Sequence, residues 1–157
     1  MTHYSSAQDT KTLISKAIVF AEKLKDIIDK NSDLTPYIVY TGMSGIALAT
    51  ALSMQYTMRY GEQLNMIYVR KPNEVTHGEI LEINGSLSTG NNNLLIFVDD
   101  FIASGQTINR MLDTLKKEYF DTNCKHETLM LDAEECYRHG SFEQAGIRYY
   151  SGSNKYV

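Results

Sequence analysis

The sequence predicts one α/β domain spanning residues 1–157, a mostly parallel sheet flanked by helices. Three observations predict it. Short β-branched and aromatic runs alternate with helical periods along the chain. One run, Leu94-Leu95-Ile96-Phe97-Val98, is apolar at every position, as a strand covered on both faces must be. The length of 157 residues, with 43% apolar and 22% charged residues, suits a single core.

The elements follow in order. Residues 7–30 carry Leu13, Ile14, Ala17, Ile18, Ala21, Leu24, Ile27 and Ile28 at i, i+3, i+4 spacing, which predicts an amphipathic helix ending near Asn31-Ser32-Asp33. Beyond Pro36, Tyr37-Ile38-Val39-Tyr40 reads as a strand. Thr41-Gly42-Met43-Ser44-Gly45 reads as a tight loop opening into an Ala-rich helix over residues 46–60. Residues 64–69 form a second strand that stops at Arg70-Lys71-Pro72, and residues 79–83 a third before an Asn84-Gly85 turn. Residues 94–98 are the buried strand, residues 108–120 a helix through Ile108, Met111, Leu112 and Leu115, and residues 127–131 a further strand. Residues 133–157 hold four tyrosines and no clear period.

Charge and composition narrow the partners. A net charge of -4, a pI near 5.5 and no local Lys/Arg cluster give no electrostatic basis for binding nucleic acid or an anionic membrane. Small molecules or other proteins are the expected partners. Met1 to Thr12 is polar, unlike a signal peptide, and no run approaches the roughly 20 apolar residues of a membrane span. A cytoplasmic protein is expected, with Cys124 and Cys136 as reduced thiols because their spacing matches no metal or redox motif.

The chemistry concentrates at Asp99-Asp100, directly after the buried strand. Two adjacent carboxylates repel each other and resist burial, so their surroundings must favour them. Ala103-Ser104-Gly105-Gln106-Thr107 follows, small and polar, at the predicted start of a helix. Backbone N–H groups there can converge on an anion, with Gly105 permitting close approach and Ser104 and Thr107 adding hydroxyl donors. A phosphate monoester suits the loop. A ribose held by its 5′-phosphate would bring two hydroxyls to the aspartates; equally, one aspartate could cap the helix and the other be solvated. No G-x-x-x-x-G-K-[ST] occurs, and residues 42–45 are not the G-x-G-x-x-G of a dinucleotide fold.

Residues 94–107, LLIFVDDFIASGQT, resemble the phosphoribosyl pyrophosphate (PRPP) signature of the type I phosphoribosyltransferases. Two further segments resemble that family in the expected order. Thr41-Gly42-Met43-Ser44-Gly45 is similar to its pyrophosphate loop, and Arg70-Lys71-Pro72 followed by His77-Gly78 to the start of its flexible catalytic loop. The resemblance implies a core like that family's, with a small hood from terminal segments, here the N-terminal helix, residues 133–157 or both.

It also implies roles. Asp99 and Asp100 would hold the ribose hydroxyls, Ala103, Ser104, Gly105, Gln106 and Thr107 the 5′-phosphate, and Thr41, Gly42, Met43, Ser44 and Gly45 the pyrophosphate with Mg²⁺. Arg70, Lys71 and His77 would act from a lid on the leaving group. Arg70 and Lys71 are the only Lys or Arg from residue 61 to residue 109. Glu74 stands where orotate and adenine members often carry a second lysine, and Ala103 where hypoxanthine-guanine members carry an acid. The implied reaction joins a nucleobase to PRPP and releases pyrophosphate, in a homodimer whose lid reaches the neighbouring site. A non-catalytic PRPP or nucleotide sensor on the same fold is the alternative.

Overall fold

The computed structural model describes residues 9–77, 80–84, 92–101, 105–118, 125–132 and 148–151. Helix α1 (Thr10–Lys30) buries Ala17, Phe20, Ala21, Leu24 and Ile27, a single stripe at helical spacing. Asn31 ends it: its backbone N–H donates to the Ile28 carbonyl and its side-chain amide to the Ile27 carbonyl. The same side chain accepts from Lys125, which joins the end of α1 to the start of a distant strand.

Strand β1 (Thr35–Tyr40) leads into α2 (Gly42–Tyr60), then β2 (Asn65–Val69), a short 3-10 helix (Pro72–His77) and β3 (Leu81–Ile83). Strand β4 (Asn93–Phe101) leads into α3 (Gln106–Glu118), β5 (Lys125–Asp132) and β6 (Arg148–Ser151). The sheet order is β3-β2-β1-β4-β5-β6. Every neighbouring pair is parallel except β2 with β3, so the sheet is mostly parallel, as the alternation of strand and helix signals requires.

From the central β1/β4 pair, β1–α2–β2 runs one way across the sheet and β4–α3–β5 the other. Right-handed crossovers then put α2 and α3 on opposite faces. Leu94, Leu95, Ile96, Phe97 and Val98 are accordingly all buried, since both sides of β4 are covered. The core continues through Tyr37, Ile38, Leu48, Leu52, Tyr56, Ile67, Met111 and Leu115. Burial of each such side chain favours folding by about 1.5–3 kcal/mol.

Two expected element boundaries change, at the start of α2 and the end of β4. The second helix starts at Gly42, so residues 42–45 are its first turn and no separate loop precedes it. Strand β4 runs through both aspartates to Phe101, because pairing with β5 continues through Asp99↔Met130 and Phe101↔Asp132. The segment after Lys71 winds into the 3-10 helix. Helix α1 packs its apolar stripe into the main core, as part of the layer covering the sheet. Of residues 133–157 only β6 is described, and it extends the sheet by pairing parallel with β5; the rest of that segment, Cys124, and residues 119–120 of the third expected helix lie outside the described residues.

Candidate functional site

In an open α/β sheet the ligand crevice forms beyond the carboxyl ends of the strands, where the order reverses. That point lies between β1 and β4. Helix α2 begins directly after β1 and α3 shortly after β4. Two helix N-termini of partial positive charge therefore flank one crevice.

Thr41 is the residue between β1 and α2. A threonine there normally caps the helix, but its side chain makes no capping bond. Its hydroxyl instead donates to the Val69 carbonyl at 2.6 Å, tying the end of β1 to the end of β2. It also accepts from the Arg110 guanidinium at 2.9 Å. The one hydroxyl proton is committed to Val69, so in this arrangement Thr41 can serve an anion through its backbone N–H only.

Gly42 takes φ +70°, a conformation that disfavours any side chain. A Cβ there would stand 3.2 Å from both Cε and Nζ of Lys71. The Lys71 ammonium thus lies against the backbone of the first α2 turn. Gly45 completes that turn near β4: a Cβ on it would lie 4.0 Å from the Val98 carbonyl, one residue before Asp99. Met43 is largely exposed and Ser44 half-buried.

On the β4 side, Asp99 is buried at 8% exposure, close to the first turn of α2. Gly105 is buried with φ +79°, and its carbonyl accepts the first α3 bond, from the Asn109 N–H at 3.0 Å. The N–H groups of Gln106, Thr107 and Ile108 precede that bond, as in an anion-binding helix start. Gln106 and Thr107 are exposed. Ala103, Ser104, Gly78 and the side chains of Asp100 and His77 lie outside the described residues; the His77 backbone ends the 3-10 helix.

The two cations of the β2 end diverge. Lys71 reaches Gly42, whereas the Arg70 guanidinium pairs with Glu82 on β3 and sits 5.9 Å from the centroid of the Tyr68 ring. Glu74, at the expected lysine position, folds back. Its carboxylate accepts from the Lys71 N–H and from the Tyr68 hydroxyl, each at 2.9 Å. The Lys71 N–H, then the Tyr68 hydroxyl, hold the Glu74 carboxyl below the usual glutamate range. Burial, reinforced by Glu74, pushes the Tyr68 phenol up and keeps it a donor. Tyr68 also packs on Tyr40, with ring centroids 5.5 Å apart.

Arg110 is the site residue that sequence reasoning missed. Besides Thr41, it donates to the Arg70 carbonyl at 2.9 Å. Its sequence signal is slight: a cation one helical turn beyond Gln106, and the first Lys or Arg after Lys71.

No family model matches the chain, and no curated protein matches it. Among solved structures, it is similar to the UMP synthase of Leishmania donovani, with a TM-score of 0.66 and 12% identity over 97% of this chain and 29% of that one. It is similar to the orotate phosphoribosyltransferase of Francisella tularensis, with a TM-score of 0.62 and 15% identity over 89% of this chain and 65% of that one. LpoA of Haemophilus influenzae also matches, with a TM-score of 0.52 and 16% identity over 87% of this chain and 23% of that one. The chain therefore spans less than two thirds of the length of each. The fold is a phosphoribosyltransferase-like α/β fold. The LpoA likeness shows why function must be argued from the site.

Proposed function

We propose that the chain is a type I phosphoribosyltransferase, transferring the 5-phosphoribosyl group of PRPP to a nucleobase with release of pyrophosphate. One observation carries the reading: two helix N-termini, the Lys71 ammonium and the Asp99 strand end meet at the β1/β4 switch point. Positive helix ends suit the two phosphate groups of PRPP, and carboxylates suit the hydroxyls of the ribose between them.

In this reading residues 103–107 hold the 5′-phosphate, residues 41–45 the pyrophosphate, and Asp99 with Asp100 the diol. The substrate phosphates would carry Mg²⁺, with Asp99 and Asp100 near it as hard oxygen groups. When bound, the ion offsets the charge growing on the pyrophosphate. Lys71 adds to that stabilisation, and catalysis rests on positioning and electrostatics. Arg70 and His77 complete the lid. The reading carries with it a cytoplasmic homodimer and a base site in a hood drawn from the N-terminal helix, residues 133–157 or both.

One observation favours a second reading, a non-catalytic PRPP or nucleotide sensor. Arg70 is engaged by Glu82, and an acid, Glu74, braces the segment where the catalytic loops of orotate and adenine members often carry a lysine.

A panel of purine and pyrimidine bases, incubated with PRPP and Mg²⁺ and scored for pyrophosphate release, separates the two. The enzyme reading expects base-dependent release that falls at least about 100-fold in Asp99→Asn/Asp100→Asn, a double loss of charge-assisted bonds. No release with any base, together with PRPP binding by calorimetry, selects the sensor. Binding of neither PRPP nor any purine or pyrimidine nucleotide removes both readings.

A further inference from the structure

We propose that Arg110 is a positioning residue that makes the two phosphate-binding segments one rigid unit, an inference that rests on the phosphoribosyltransferase reading above. Arg110 lies in the second turn of α3, the helix whose N-terminus would hold the 5′-phosphate. Its guanidinium reaches across the crevice in two directions. One nitrogen donates to the Thr41 hydroxyl, at the head of the pyrophosphate segment, and the other to the Arg70 carbonyl, one residue before Lys71.

These partners are 69 and 40 residues distant in sequence. No local element links them to α3. The planar fork of an arginine can serve two acceptors at once, which a lysine ammonium on a flexible stem does with poor geometry. Thr41 extends the linkage, since its hydroxyl passes the contact on to the Val69 carbonyl. Arg110 is half-buried and donates to one backbone carbonyl and one hydroxyl oxygen, so its role is to hold geometry and to place one positive charge beside the pyrophosphate segment.

The consequence is asymmetric. Without Arg110, α3 keeps its own N-terminus, so ribose 5-phosphate should bind as before. The segment from Thr41 to Gly45 and the Lys71 corner lose their common anchor, so pyrophosphate should bind worse.

The experiment measures two probes separately, ribose 5-phosphate and Mg²⁺-pyrophosphate, by calorimetry on wild type, Arg110→Met and Arg110→Lys, with a melting curve for each. The expected result is Mg²⁺-pyrophosphate weakened about tenfold in Arg110→Met, ribose 5-phosphate within about twofold of wild type, and a partial recovery in Arg110→Lys, because charge returns without the fork. Turnover should fall with a larger change in kcat than in KM for the base, as misplacement of the leaving group predicts. Both probes weakened alike, with a large fall in melting temperature, would mark Arg110 as a general stabiliser and overturn the inference. Unchanged pyrophosphate affinity in a folded Arg110→Met would also overturn it while leaving the phosphoribosyltransferase reading intact. A wild type that binds neither probe removes that reading and the inference with it.

Discussion

The crevice between β1 and β4 and the α1/α2 face of the molecule use polar side chains in opposite ways. At the crevice, Arg110, Thr41 and Glu74 bond to backbone atoms and hydroxyls at the strand ends and the turns after them, and two of these residues join segments 28 to 69 residues apart. On the α1/α2 face, charged side chains bond mainly to one another across helix surfaces. Lys25 pairs with Asp29 and with Glu62, each at 3.2 Å, and Arg59 with Glu22 at 2.8 Å. Glu62 also accepts from the Tyr56 hydroxyl at 3.1 Å.

The difference teaches what each region is for. Exposed ion pairs are screened by solvent and add little to stability, so the α1/α2 face relies on the apolar packing beneath them. Partly enclosed bonds to backbone carbonyls fix the position of loops, which matters where a ligand must be met by several segments at once.

Three substitutions sharpen this contrast. The largest effect is expected at the crevice. Gly42→Val forces a β-branched side chain into φ +70° and against Lys71. It should cost about 1–3 kcal/mol in urea unfolding and weaken PRPP at least about tenfold by calorimetry, through the blocked approach to the α2 N-terminus. Wild-type PRPP affinity in Gly42→Val would remove residues 41–45 from the site.

A smaller effect belongs to the α1/α2 face. Burial first, then the bond to Glu62, pushes the Tyr56 phenol up to about 12, against about 10 for an unperturbed tyrosine. A group whose folded pKa is raised contributes stability that is complete below the unfolded value and lost as pH rises through the folded one. Unfolding free energy should therefore decline between about pH 10 and pH 12, and Tyr56→Phe should flatten that decline. An identical alkaline profile in Tyr56→Phe would sink this account of the tyrosine.

The smallest effect is expected from Glu62→Gln, which removes the charge shared by Lys25 and Tyr56. Melting temperature should shift by about 2 °C or less, shrinking further in 1 M salt, with PRPP affinity unchanged. A larger loss of PRPP affinity than in Gly42→Val would reverse the contrast between the two regions.

Much of the fold was legible because its signals are local. The helical stripe of Leu24 and Ile27 and the all-apolar run of residues 94–98 each act within a few neighbours. The ends of elements were less legible. Strand β4 outruns its apolar segment because β5 goes on pairing with it, and a partner strand overrides the local dislike of aspartate for a strand. The glycine-rich residues 42–45 read as a loop, but the first turn of α2 absorbs them once Gly42 supplies the positive φ.

The sequence by itself determined the class of the fold and the order of its elements, because hydrophobic period and turn chemistry are properties of adjacent residues. Only the tertiary structure decided which side chains act together. Thr41 gave up helix capping for a carbonyl on another strand, Arg70 turned to Glu82 while its neighbour Lys71 reached Gly42, and Arg110 joined α3 to both. Those choices depend on which strand ends lie side by side, and adjacency across a sheet is set by long-range pairing that no short window of sequence contains.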